Sequence, residues 1–178
     1  MYVIDRSSSM GLDGALAAAK RELRASLDRL PADAFFQVIA YNRSAEPLRL
    51  GGSSGLAPAT ADNKRQADFL IASLRAEGGT AHLPALKRAL LLQPEVIFLL
   101  TDGDELTLEQ VREVTRFNQG RTAIHALEVR ASSSTGGAAS LQALARENRG
   151  VYRVVDLRQE SGLTASGPRL SPRHPAAP

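Results

Sequence analysis

A chain of 178 residues with 43% apolar and 23% charged side chains has the size and make-up of one folded domain with a sizeable core, not of a disordered polypeptide. No run approaches the roughly 18 consecutive apolar residues that a membrane-spanning helix needs, and zero cysteines exclude disulfides, cysteine-ligated zinc and thiol catalysis. The net charge of +3 comes from scattered arginines with acids among them, and no basic block interleaved with aromatics marks a nucleic-acid surface.

Met1-Tyr2-Val3-Ile4 has neither the basic nor the apolar region of a signal peptide. It reads as a strand that has barely begun when it reaches Asp5, as in a trimmed chain or a fragment. With no leader and no span in the sequence, the default location is the cytoplasm. The stretch V-I-D-R-S-S-S-M then places three hydroxyls within four residues. Asp and Ser are ordinary turn formers, but Asp5, Ser7 and Ser9 at alternate positions are also oxygen donors suited to a hard divalent cation. After this loop Leu16, Leu23, Leu27 and Leu30 recur at helical spacing, and Pro31 stops the helix. Residues 34–41 read as one buried strand. Asn42-Arg43-Ser44 turns it into an antiparallel edge partner that ends near Leu50. Residues 51–58 form a flexible loop. A helix is expected over about 60–76 with Phe69, Leu70 and Leu74 on one face, broken by Glu77-Gly78-Gly79-Thr80, and a further helix over 84–92. Val96-Ile-Phe-Leu-Leu100 is the continuous apolar run of a strand covered on both faces. Thr107 with Gln110 is a capping-box pair opening a helix that ends near Gly120. Residues 123–129 form a strand, 141–148 a helix and 151–155 a last strand. From about Gln159 the chain is rich in Pro, Ser and Gly without apolar periodicity. The expected division is a folded domain over 1–157 and a disordered tail or linker over 158–178.

The order β-α-β-β-α-α-β-α-β-α-β predicts an α/β fold: a three-layer, doubly wound, Rossmann-like arrangement. Its sheet is six-stranded and mostly parallel, with one antiparallel edge strand and helices on both faces. Such sheets bind ligands outside the carboxyl ends of the strands, where the strand order reverses. Two strands here end in Asp followed by small polar residues, at Asp5 and at Thr101-Asp102-Gly103. If these strands are neighbours, both carboxylates reach one crevice.

Asp5-x-Ser7-x-Ser9, a Gly-Gly-Thr ending at Thr80, and Thr101-Asp102-Gly103, taken together and in this order, resemble the von Willebrand factor type A domain of bacterial type. The three pieces are those of its metal-ion-dependent adhesion site, and the resemblance covers about Tyr2 to Leu157. Ser8 stands where the family often has Gly, which removes no donor, and the first strand lacks its usual apolar lead-in. The resemblance implies a Mg2+ or Mn2+ site. Ser7, Ser9 and Thr80 would ligate directly, while Asp5 and Asp102 would bind directly or through water. An Asp or Glu of a partner protein would complete the coordination. It implies a binding module whose partner is unnamed; similar bacterial domains belong to larger proteins or work beside AAA+ ATPases.

The alternative is an enzyme using the same crevice for metal-dependent phosphoryl transfer or hydrolysis. Against it, the chain has neither G-x-x-x-x-G-K-[ST] nor G-x-G-x-x-G after the first strand, and no His or Lys stands at a motif position. The three histidines do not form a zinc set by spacing. His82 is expected to be a half-exposed residue at a helix start, His125 to face a helix from its strand, and His174 lies in the tail. Asp104 and Glu105 are read as charges of a helix's first turn at the rim of the crevice.

Overall fold

The computed structural model describes residues 1–103, 105–130 and 138–157. Asp104 and the expected tail 158–178, with His174, lie outside the described residues. Six strands form the main sheet: β1 (Tyr2–Asp5), β3 (Val38–Tyr41), β4 (Ala45–Pro47), β6 (Val96–Thr101), β7 (Ala123–Arg130) and β8 (Tyr152–Asp156). A ribbon of β2 (Phe35–Phe36) and β5 (Ala57–Pro58) stands apart. The sheet order is β4-β3-β1-β6-β7-β8, with every neighbour pair parallel except β3 and β4. The chain moves from β1 outward to β3, then returns to lay β6 on the other side of β1. The strand order therefore reverses between β1 and β6, the two strands that lead into Asp5 and Asp102.

Alternation along the strands builds two apolar layers. Tyr2, Ile4, Val38, Ala40 and Leu100 pack against α1 (Ala15–Asp28) and α2 (Ala61–Ser73). Val3, Ile39, Ile97, Leu99, Ile124 and Ala126 pack against α3 (His82–Leu91), α4 (Leu108–Asn118) and α5 (Ala138–Glu147). The mostly parallel sheet with one antiparallel edge and helices on both faces is the expected architecture. α4 opens with the expected capping box between Thr107 and Gln110. α3 begins two residues earlier than expected, because Pro84 falls in the first turn, where its missing N–H has no helical partner to lose.

Several local expectations are corrected. The strand over 34–41 is two, split at Gln37, whose side chain accepts from Val38 N at 2.8 Å and donates to Gly55 O at 2.7 Å. These bonds fold the supposed loop 51–58 back so that β5 pairs with β2. β4 stops at Pro47, which has no N–H to continue a ladder. Phe69 is 74% exposed, not buried; α2 docks through Ala67 and Ile71, and Phe69 lies roughly 200° around the helix from Ala67. Between the serine loop and α1 lies an unanticipated 3-10 segment, Ser8–Gly14, kinked where Asp13 and Gly14 take positive φ.

The layer opposite α1 is closed by a buried amide clamp. Asn118 Nδ2 donates to Thr122 O at 2.7 Å and to Asn148 Oδ1 at 2.8 Å. Asn148 Nδ2 donates in turn to Thr115 Oγ1 at 3.0 Å and to Leu144 O at 2.9 Å. The clamp joins the ends of α4 and α5 to the start of β7. Next to it, a Cβ on Gly150 would lie 1.8 Å from Ile124 O, so only glycine fits. Asn148→Ala should cost about 3 kcal/mol, since it strands buried donors and acceptors without partners. Gly150→Ala should cost at least as much. Urea unfolding checks both, and a loss below about 0.5 kcal/mol, the range of an ordinary surface substitution, would show the clamp to be dispensable.

Candidate metal centre

Asp5 is the last residue of β1 and is fully buried. Its Oδ1 accepts the Ser7 backbone N–H at 2.8 Å and its Oδ2 accepts the Thr101 hydroxyl at 2.7 Å. The first bond reaches two residues ahead and turns the chain sharply. That turn brings Ser7 Oγ to 3.1 Å from Ser9 Oγ, while Ser8 faces solvent. The second bond ties β1 to β6, and Thr101 Oγ1 also accepts Gly103 N–H at 3.0 Å. Asp102, half-buried, sits between these two anchored residues.

Thr80 arrives on a separate loop that backbone bonds stitch to the serine turn. Glu77 N–H donates to Arg6 O at 2.8 Å, Ser8 N–H to Gly78 O at 2.9 Å, and Ala81 N–H to Asn42 O at 2.8 Å. Asn42 Nδ2 donates to Glu77 O at 3.0 Å, and the Arg6 guanidinium pairs with Glu77 at 2.6 Å. Gly78 has φ +76°, which side chains with a Cβ rarely adopt, and a Cβ there would press on Asn42 Nδ2 at 3.1 Å. The structure thus links Asp5, Ser7 and Ser9 directly, places Asp102 on the neighbouring strand's end, and holds the half-buried Thr80 in a loop fastened to both sides.

Burial is the largest influence on Asp5 and pushes its carboxyl up; the bonds from Ser7 and Thr101 and the nearby His82 act the other way. Among the described residues no arginine or lysine pairs with it. A buried carboxylate without a basic partner is costly, and a cation in the crevice would offset that cost. Two ligands at right angles around an ion with metal–oxygen distances near 2.1 Å lie about 3.0 Å apart. The Ser7–Ser9 hydroxyl separation of 3.1 Å fits this spacing. Among the described residues no three His, Asp or Glu side chains gather as a metal-holding group. Hydroxyl and carboxylate oxygens of the kind gathered here suit a hard cation and not zinc.

His82 is corrected: it is 1% exposed, not half-exposed. Its Nδ1 lies 2.8 Å from the Tyr41 hydroxyl, and the two rings meet edge to face with centroids 5.6 Å apart. Tyr41 is itself fully buried and pairs in register with Asp5. Its phenol is pushed well above the usual value by burial first and then by the Asp5 charge, with Asp102 adding to the effect. His125 does face a helix, lining a cleft with Leu23 and Ser26 of α1 and stacking on Phe98. Glu105 is exposed with φ +64° and precedes the Thr107 cap, so it is not a first-turn charge; that place belongs to Glu109. Sequence reading gave no role to Thr101 or Tyr41. The signal for both was their position at the ends of strands flanking β1, level with Asp5.

The sequence pattern of the von Willebrand factor type A domain matches residues 1–154. No curated protein matches the chain significantly. A von Willebrand factor type A structure from Catenulispora acidiphila has a TM-score of 0.75 at 23% identity, covering 89% of this chain and 39% of that one. The BatB protein of Bacteroides thetaiotaomicron has a TM-score of 0.68 at 18% identity, covering 90% and 93% of the two chains. The ArnB paralog VWA2 of Sulfolobus acidocaldarius has a TM-score of 0.63 at 17% identity, covering 89% and 41%. The chain thus spans well under half the length of the Catenulispora protein. At these identities the structures speak for the fold, and the match over residues 1–154 speaks for the family: this chain belongs to the von Willebrand factor type A domain family.

Proposed function

We propose that this domain is a metal-dependent protein-binding module and not an enzyme. Type A domains are in general protein-interaction modules. The observation that carries the metal-dependent reading is the buried Asp5, bracketed by neutral donors, beside two serine hydroxyls 3.1 Å apart. Ser7, Ser9 and Thr80 would hold Mg2+ or Mn2+ through their hydroxyls, with Asp5 and Asp102 binding directly or through water. The ion would supply an electrophilic point on the surface that an Asp or Glu side chain of a partner protein can reach. With the carboxylates bound through water and only neutral hydroxyls in direct contact, the ion would stay electrophilic, so a partner carboxylate would gain more there than at a site whose anions bind directly. The partner is another protein, such as an AAA+ ATPase, or another domain of a longer polypeptide. No helix among the described residues is long and apolar enough to cross a membrane.

A cation bound only by the folded state adds RT ln(1 + [L]/Kd), about 2.7 kcal/mol at a hundredfold excess over Kd. For a domain of this size that raises the melting midpoint by roughly 5–10 °C. Millimolar Mg2+ should produce such a rise over EDTA in thermal melts. Identical midpoints through the millimolar range would remove the site.

The ligand variants separate binding from folding. Asp5→Asn keeps the shape of a buried side chain while removing its charge, so it should melt no lower than wild type in EDTA. It should nonetheless lose the whole metal-dependent rise, as should Asp102→Ala. Ser7→Ala, Ser9→Ala and Thr80→Ala each remove one neutral donor and should keep part of it. Melting all five with and without Mg2+ decides the matter; a full rise in Asp5→Asn and Asp102→Ala would overturn the assignment.

A further inference from the structure

We propose that Tyr41 and His82 are positioning residues that set the place of the Thr80 hydroxyl in the metal centre; this rests on the metal-binding reading above. Thr80 needs such an anchor. It follows two glycines, Gly78 with φ +76°, and leads into a helix whose N-cap residue, Ala81, offers no side-chain cap. Three of the backbone bonds that stitch this loop fall at residues 77, 78 and 81, and among the described residues none is made by Thr80 itself. The first helical residue is His82, and its Nδ1 meets the Tyr41 hydroxyl at 2.8 Å with both residues buried. Tyr41 is also fixed at its other end: its carbonyl accepts Arg6 N–H at 2.8 Å, and it pairs in register with Asp5. One residue therefore spans both halves of the centre. Its main chain holds Arg6, between Asp5 and Ser7, and its hydroxyl, which also interacts with the Asp5 and Thr101 side chains, meets the start of α3, two residues beyond Thr80. Two apolar side chains of the same shape would pack in this place at little cost to stability. What the hydroxyl–imidazole bond adds is a fixed distance and direction between β3 and α3.

The test measures the affinity of the purified chain for Mn2+ alone by calorimetry. The variants are Tyr41→Phe, Thr80→Ala and the two combined, with melting in EDTA alongside. Groups that orient a ligand cost roughly tenfold or more in metal affinity when removed, so Tyr41→Phe should weaken Mn2+ binding by about that factor. In the Thr80→Ala background the same change should cost clearly less than in wild type, because the residue it positions is gone. His82→Asn, which keeps a polar group near the Nδ1 position, should retain most of the affinity that His82→Leu loses. Equal factors with and without Thr80, or an unaltered Kd in Tyr41→Phe, would overturn the positioning role while leaving the metal site standing. Failure of the wild-type chain to bind Mn2+ would overturn both.

Discussion

A charged side chain is held at the end of the central strand with almost no water around it, and much of the surrounding structure answers to that constraint. Asp5 is fully buried, yet its hydrogen-bond partners are a backbone N–H and two hydroxyl-bearing residues. The bond to Ser7 N–H forces the chain to reverse directly after β1. The reversal sets the two serine hydroxyls side by side and lets Ser8 reach back to Gly78, drawing in the loop that carries Thr80. The bond from Thr101 fastens β6 against β1 at the point where the strand order changes direction. Cut this side chain back to its Cβ and the serine turn, the β1–β6 junction and the approach of the second loop all lose a common reference.

The same row of the sheet marks where the core ends. Level with Asp5, and on the face covered by α3, α4 and α5, stand Tyr41 of β3, Thr101 of β6 and Glu128 of β7. Two residues earlier the corresponding row is Ile39, Val3, Leu99 and Ala126, all fully buried and apolar. One step of the pleat thus separates a dry hydrophobic layer from a band of buried polar groups. Tyr41 meets His82, Thr101 bonds Asp5 and Gly103, and Glu128 accepts the Tyr152 hydroxyl at 2.5 Å through one oxygen, while its other oxygen lies 3.4 Å from the Arg130 guanidinium and makes no hydrogen bond among the described residues. Low polarity beneath the band strengthens every electrostatic contact within it.

The parts legible in the sequence were those with a strong period or a fixed chemistry. Val96–Leu100 announced a strand buried on both faces, and Thr107 with Gln110 announced a helix start, because each pattern has few physical alternatives. Asp5, Ser7 and Ser9 were visible as donors at alternate positions. Their hydroxyl spacing was not, since it depends on the bond from Ser7 N–H to the Asp5 carboxylate. The losses came where long-range contacts overrode local pattern. Gln37 looks like one polar residue in an apolar strand, and only its bond to Gly55 O shows that the strand breaks there. Phe69 looked like core, but α2 buries Ala67 and Ile71, and Phe69 lies on the other side of the helix. His82 looked like a polar helix start; its partner, Tyr41, is 41 residues away in the chain.

The balance of neutral and charged groups also bears on how metal and partner would depend on each other. In the proposed centre the chain contributes three hydroxyls and two carboxylates, and one of the carboxylates already gives both oxygens to hydrogen bonds with Ser7 and Thr101. The serine loop is fastened by main-chain bonds, and the threonine loop by such bonds at residues 77, 78 and 81. An ion with an incomplete set of anionic ligands is held weakly, and a partner carboxylate finds nothing to grip without the ion. Each ligand then raises the affinity for the other by the same factor, as linkage requires. In that reading the incomplete coordination shell would make the ion a condition of recognition: the domain would engage its partner as a ternary complex in which metal and partner each tighten the other.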